Sequence, residues 1–232
     1  DKTSLFNFLQ HFGLVTVDGN TYGLWHQFLD AFGLIALPDH SNVFAVGYSL
    51  FNMVGQIITL LGVIFLSGYL SNIFGKRNVF IICLALTAVF TSLFFVVDAK
   101  SVGLIFVINM LKSMAYAPTI PLLWAMMGDV ADHSEWVNHR RATGFVFAGI
   151  VFALKAGLGI GGAICGAIVD SFGFIPNVVQ TESALFGIRI SSSIIPALTF
   201  VVGVFALLFY PISKHLNEKI QQELAVRRSN KV

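Results

Sequence analysis

The sequence predicts an all-α membrane protein with five transmembrane helices, and three observations carry that prediction. Of 232 residues, 56% are hydrophobic and only 11% charged, whereas roughly a quarter of the residues in a soluble domain are charged. Mean hydropathy is +0.81, and the apolar residues come in unbroken runs rather than in the alternation of a membrane barrel. Several of those runs reach the roughly 20 residues that a helix needs to cross a hydrocarbon core of about 30 Å. The net charge of +2 comes without a basic stripe, so no nucleic-acid partner is expected. Cys83 and Cys165 both lie in apolar runs and imply neither a disulfide framework nor a metal site.

Segment 1–42 comes first. Its two apolar stretches, 5–17 and 22–37, are short and are interrupted by His11, His26 and Asp30. An extracytoplasmic loop or interfacial segment is therefore expected there rather than a span. The five-span bundle covers 43–212, with spans at 43–66, 79–97, 103–127, 143–169 and 190–212. The third contains Pro118 and Pro121, each of which removes a backbone hydrogen bond and can kink the helix. The fourth contains Gly157, Gly159, Gly161 and Gly162 in a G-x-G-x-x-G-like pattern. No strand precedes it, so these small residues indicate close helix packing rather than a dinucleotide loop. In the tail, 213–232, Leu216, Ile220 and Leu224 recur at four-residue spacing among charges, which predicts a cytoplasmic helix with one apolar face.

Lys and Arg set the topology, because short basic loops stay in the cytoplasm. Nine of the 14 (Lys76, Arg77, Arg140, Arg141, Lys214, Lys219, Arg227, Arg228 and Lys231) fall in one set of alternate loops. Three fall in the other: Lys2, Lys100 and Arg189. The C-terminus is thus expected inside and segment 1–42 outside. That segment has no export signal of its own, so an earlier span is expected before Asp1.

None of the 12 acidic residues lies within the predicted spans, whereas Lys112 and Lys155 do. An unpaired ammonium near mid-membrane costs at least about 2.5 to 3.5 kcal/mol, and such residues mark pathways and sites. Lys155, and with it Lys112, is therefore a candidate for substrate binding or ion coupling. Tyr116 and Trp124, in the same span as Lys112, offer flat faces for a sugar ring. Asp129, Asp132 and Glu135 recur every third residue along one helical side, ahead of Arg140 and Arg141. They suit a cytoplasmic gate of salt bridges that form in one conformation and break in another. The histidines show no metal-ligand spacing, and no catalytic constellation appears, so an enzyme is not expected.

The run from Pro121 through Trp124, Asp129, Asp132, Glu135 and Trp136 to Arg141 and Lys155 resembles the glycoside, pentoside and hexuronide:cation symporters of the major facilitator superfamily. The family pattern is D-x-x-D-Y-x-E-W, then an arginine nine residues after the second Asp, then a mid-span lysine. His133 stands here for the Tyr. Gly68 to Arg77 is similar to the superfamily loop G-x-x-x-D-x-x-G-R-[RK], with Asn72 in place of the acid, and Gly173 to Asn177 to the outer loop G-[YF]-x-P-N.

The resemblance implies the C-terminal half of a 12-helix carrier, multi-pass in the cell inner (plasma) membrane. It implies sugar or glycoside transport by sodium or proton symport with alternating access. Lys155 then belongs to the sugar or coupling site, and Asp129, Asp132, Glu135 and Arg141 to the cytoplasmic gate. No cofactor is implied. The cation site would lie in the N-terminal half of the same protein, and the substrate could be neutral or anionic. The competing expectation is a non-transporting membrane scaffold or assembly subunit whose lysines pair with a partner's acids.

Overall fold

The computed structural model describes residues 1–16, 24–140 and 142–229. Helices dominate it: α1 Lys2–His11, α2 Leu24–Ala31, α3 Val43–Phe74, α4 Lys76–Val96, α5 Val102–Tyr116, α6 Thr119–Asn138, α7 Thr143–Ser171, α8 Glu182–Ser192, α9 Ile194–Leu208 and α10 Lys214–Ser229. Five helical stretches among the described residues are long and apolar enough to cross a membrane: α3, α4, α5 with α6, α7, and α8 with α9.

The helices do not stop where the apolar runs do. Helix α3 continues to Phe74, and its Ser67 and Ser71 hydroxyls donate to carbonyls one turn back within the helix. The last stretch begins at Glu182 rather than near 190, because Thr181 caps α8 by accepting from the Ala184 N–H at 3.2 Å. It ends at Leu208, and Pro211 follows where the helix has stopped.

Both composite stretches break just ahead of a proline. Helix α5 ends at Tyr116 and α6 starts at Thr119, which puts Pro121 in the first turn of α6, where its missing N–H leaves no gap. Helix α8 ends at Ser192, and Pro196 takes the equivalent place in α9. The kink expected from Pro118 and Pro121 is thus a change of helix at Ala117 and Pro118.

Helix α4 packs chiefly against α9 and α5, and α3 lies along α5. Glycines make the α3 to α5 approach close: a Cβ on Gly62 would stand 2.5 Å from the Ala117 Cβ. Three basic side chains close helix C-termini, where free carbonyls and the helix dipole favour cations. Arg77 donates to the Leu207 and Leu208 carbonyls of α9 at 3.2 and 2.7 Å. Lys214 donates to the Asn72 carbonyl of α3 at 2.6 Å, and Arg189 to the Phe95 carbonyl of α4 at 2.6 Å.

Segment 1–42 carries its own apolar cluster, in which Leu9, Leu14, Leu29 and Leu34 pack with Val43 and Val46 of α3. The sequence Phe-Gly-Leu follows both α1 and α2. In each, the glycine takes a positive φ (Gly13 69°, Gly33 64°) and the next N–H reaches back to close the helix, Leu14 to Leu9 and Leu34 to Leu29, both at 3.0 Å. The two arms then pair as a short parallel bridge between Val15 and Ala36.

Candidate functional site

The residues singled out in the sequence fall into three places. The first is a cavity of about 260 Å³ between α3 and α5, lined by Asn52, Gln56, Asn109, Lys112, Ser113 and Tyr116. Its room depends on Gly55, since a Cβ there would stand 3.1 Å from both Asn109 Nδ2 and Ser113 Oγ. Asn109 is buried and donates to the Phe51 carbonyl at 2.8 Å, and Asn52 donates to the Tyr48 carbonyl at 2.9 Å. The Lys112 ammonium stands 5.7 Å from the Phe94 ring centroid, a cation–π contact. Lys112 and Tyr116, one helical turn apart, thus share one cavity, and the Tyr116 ring also meets Phe200 of α9 at 6.1 Å.

The second place is α7, which carries Lys155. No residue of this helix is buried, and it packs against α6 and α8. Lys155 is exposed and, among the described residues, has no hydrogen bond or ion pair. Gly162 and Gly166 follow it by seven and eleven residues, close to two and three full turns, so they share its face. A Cβ on either would meet nothing within 4 Å. The small residues expected to receive a neighbouring helix therefore lie uncovered on the Lys155 face of α7. Trp124 belongs to this side too, its ring stacked on Phe147 of α7 at 6.3 Å and 13°.

The third place is the end of the bundle that bears α10. Lys76, at the start of α4, donates to both oxygens of Asp129 at 2.8 Å, and Asp129 is nearly buried. Helix α10 lies against α6 with Ile220 and Leu224 fully covered. Its polar residues grip the acids of α6: Gln221 donates to Asp132 at 2.7 Å, and Arg228 reaches Glu135 at 2.7 Å and Asp132 at 3.5 Å. The Trp136 indole N–H donates to Glu223 at 2.6 Å. Arg141, the fourth expected gate residue, lies outside the described residues. Beside this network Tyr210 is half-buried close to Asp129, and both effects push its phenol above the ordinary tyrosine range.

The turn after α7 also has a physical reading. Gly173 and Asn177, the first and last residues of the G-F-x-P-N patch, have φ of 77° and 64°. That region suits glycine and, less well, asparagine. Gln180 ties the turn together by donating to the Ile175 and Val178 carbonyls at 2.6 and 2.8 Å.

Sequence reasoning missed Asn52, Gln56 and Asn109 in the cavity, and Gln221 and Glu223 on α10. The first group had a signal. Asn52 and Gln56 are one turn apart in an apolar run, as are Asn109 and Ser113, and amides at that spacing within a span mark a shared polar face. The α10 residues had none, since charge on a tail helix is equally consistent with plain solvation.

A multi-pass helical membrane protein with intramembrane lysines and a salt-bridged end is the class that this fold and these sites define. The chain belongs to the MFS/sugar transport protein family, whose family model matches residues 41–214. It is similar to the putative glycoside/cation symporter YagG of Escherichia coli, 31% identical over 77% of this chain and 39% of that protein. The uncharacterized symporter YnaJ of Bacillus subtilis is 25% identical over 86% of this chain and 45% of its own length. The isoprimeverose transporter of Lactiplantibacillus pentosus is 35% identical over 47% of this chain and 24% of its own. The chain thus spans less than half the length of each of these relatives.

Proposed function

We propose that this chain forms the C-terminal half of a secondary carrier that moves a sugar or glycoside across the inner membrane, coupled to sodium or proton, by alternating access. The observation that carries the reading is Lys155, a cation with no ion pair among the described residues, about 18 Å from one end of α7 and farther from the other, at 1.5 Å per residue. Gly162 and Gly166 on its face are likewise uncovered, which supports a water-filled path rather than a packed core. Family membership and relatives named as glycoside/cation symporter and isoprimeverose transporter support the same conclusion.

In this reading α10 is cytoplasmic and segment 1–42 lies outside. Lys155, Lys112, Tyr116 and Trp124 bind substrate or couple it to the ion. Asp129, Asp132, Glu135 and Arg141 form the gate, with Lys76 and α10 as its counterparts. The N-terminal half of the same protein covers α7 and holds the cation site. The test is gradient-driven uptake of a labelled glycoside in membrane vesicles carrying the complete reading frame. Lys155→Ala is expected to abolish uptake with insertion unchanged; undiminished uptake would overturn the assignment.

A further inference from the structure

Segment 1–42 is built twice. Phe8-Leu-Gln-His-Phe12-Gly13-Leu14-Val15 and Phe28-Leu-Asp-Ala-Phe32-Gly33-Leu34-Ile35 share the pattern F-L-x-x-F-G-L-[VI] at a distance of 20 residues. Both copies fold alike, as a helix, a glycine of positive φ and an arm that joins the Val15 to Ala36 bridge. The two rings of each copy stand 4.9 Å apart, tilted by 52° in the first and 57° in the second. Leu9 and Leu29 are buried at matching positions in the shared apolar cluster.

The copies differ in what covers the rest of the helix. Helix α1 packs on α3 and α5. Its Phe8 ring stacks on Phe106 of α5 at 4.9 Å and 28°, and its Leu5 lies so near α3 that a Cβ on Gly47 would stand 2.6 Å from it. On the second copy Leu24, Phe28 and Phe32 recur every fourth residue and are 86%, 54% and 61% exposed. Phe28, the counterpart of the seated Phe8, belongs to that exposed stripe.

We propose that this face of α2 docks on the outer end of the N-terminal half of the same protein, on an apolar helix end, as α1 docks on α5. Segment 1–42 then clasps the two halves together on the outside. The proposal rests on the carrier reading, which supplies the second half. Two halves that are structural repeats about an axis along the membrane normal offer similar helix ends, and a module built twice has one copy for each. The first copy, already seated on this half, shows the mode of contact. Large apolar side chains grouped on one face are what anchor such an interface. Lipid suits the face less well, because helices that lie in the membrane surface are rich in Lys and Arg. Helix α2 has neither, and segment 1–42 holds Asp1, Asp18, Asp30 and Asp39 against Lys2 alone.

The experiment places the photo-cross-linking residue p-benzoylphenylalanine at position 32 of the complete reading frame in membrane vesicles. The irradiated product is read by denaturing gel and peptide mass mapping, and gradient-driven uptake of a labelled glycoside by the native protein is measured alongside. The expected product keeps the mass of a single chain and joins position 32 to a peptide that precedes Asp1. The same residue at position 8 is expected to join α5, and its failure to do so removes the template and overturns the proposal. A doubled mass, attachment to lipid alone or no product from position 32 also overturns it, and uptake retained by the native protein then leaves the carrier reading standing. If the position 32 variant does not reach the membrane, the probe at position 24, on the same face, decides by the same criteria. Attachment ahead of Asp1 without gradient-driven uptake supports the docking and overturns the carrier reading. A reading frame with no spans ahead of Asp1 overturns both.

Discussion

Helices α3 and α7 are both long, apolar and rich in glycine, yet apart from Gly68 of α3, which is open, their glycines do opposite things. In α3, Gly55 and Gly62 are contact points, where a methyl group would strike Asn109 or Ala117. In α7, Gly157, Gly159, Gly161, Gly162 and Gly166 face open space. Each helix is also associated with a lysine, but Lys112 beside α3 is half-buried among amides and a ring, whereas Lys155 on α7 stands exposed. Small residues therefore give a helix the capacity for close approach, and the neighbour decides whether that capacity is spent within this bundle or kept for another surface. The α3, α4, α5 and α9 group packs together, and α7, which touches chiefly α6 and α8, keeps its glycines uncovered.

The sharpest way to break this comparison is to fill both sets of glycines. Gly62→Leu should destabilise the scaffold by about 3 kcal/mol through overpacking, read as a large fall in thermal midpoint in detergent. Gly162→Ala should leave that midpoint unchanged or raise it by the equivalent of about 0.5 to 1 kcal/mol, the helix preference of Ala over Gly. Equal losses would mean that α7 is packed like α3.

Next in size is the α10 contact. Leu224→Ala removes a covered side chain against α6 and should cost about 2 kcal/mol, seen as faster proteolysis of the tail with the spans intact. The Lys76 and Asp129 pair is smaller, because the lysine is one-third exposed. A double-mutant cycle of Lys76→Ala and Asp129→Ala should give a coupling of about 1 kcal/mol.

The smallest effect is a pH dependence at the same end. Burial and the nearby Asp129 charge raise the Tyr210 phenol in the folded state. A folded pKa above the unfolded one contributes stability that is fully present below about pH 10, the unfolded value, and is lost as pH rises beyond it. Tyr210→Phe should therefore flatten the alkaline limb of a stability profile; an unchanged limb would mean that the phenol ionises as freely folded as unfolded.

Much of the scaffold was legible in the sequence because a span announces itself by length and the absence of charge. Helix ends were less so: the start of α8 at Glu182 depends on a Thr181 cap that hydropathy does not register. The breaks ahead of Pro121 and Pro196 follow from proline chemistry, but only the first was expected. At the site, Lys112 and Lys155 stood out as charges among apolar residues, whereas Asn52, Gln56 and Asn109 were hidden because neutral amides scarcely perturb hydropathy. Which glycines would be covered was not readable at all, since that is a property of the facing helix and not of the glycine pattern.

The central claim, that α7 lines a water-filled path while the scaffold is packed, is tested most directly by thiol accessibility. With Cys83 and Cys165 replaced by Ser, Gly162→Cys on the Lys155 face and Thr87→Cys, buried in α4 at 1% exposure, would be treated with a hydrophilic thiol reagent in membrane vesicles carrying the complete reading frame. The account predicts rapid labelling at 162, slowed by a transported sugar, and none at 87. A residue at 162 as inert as the one at 87 would contradict it.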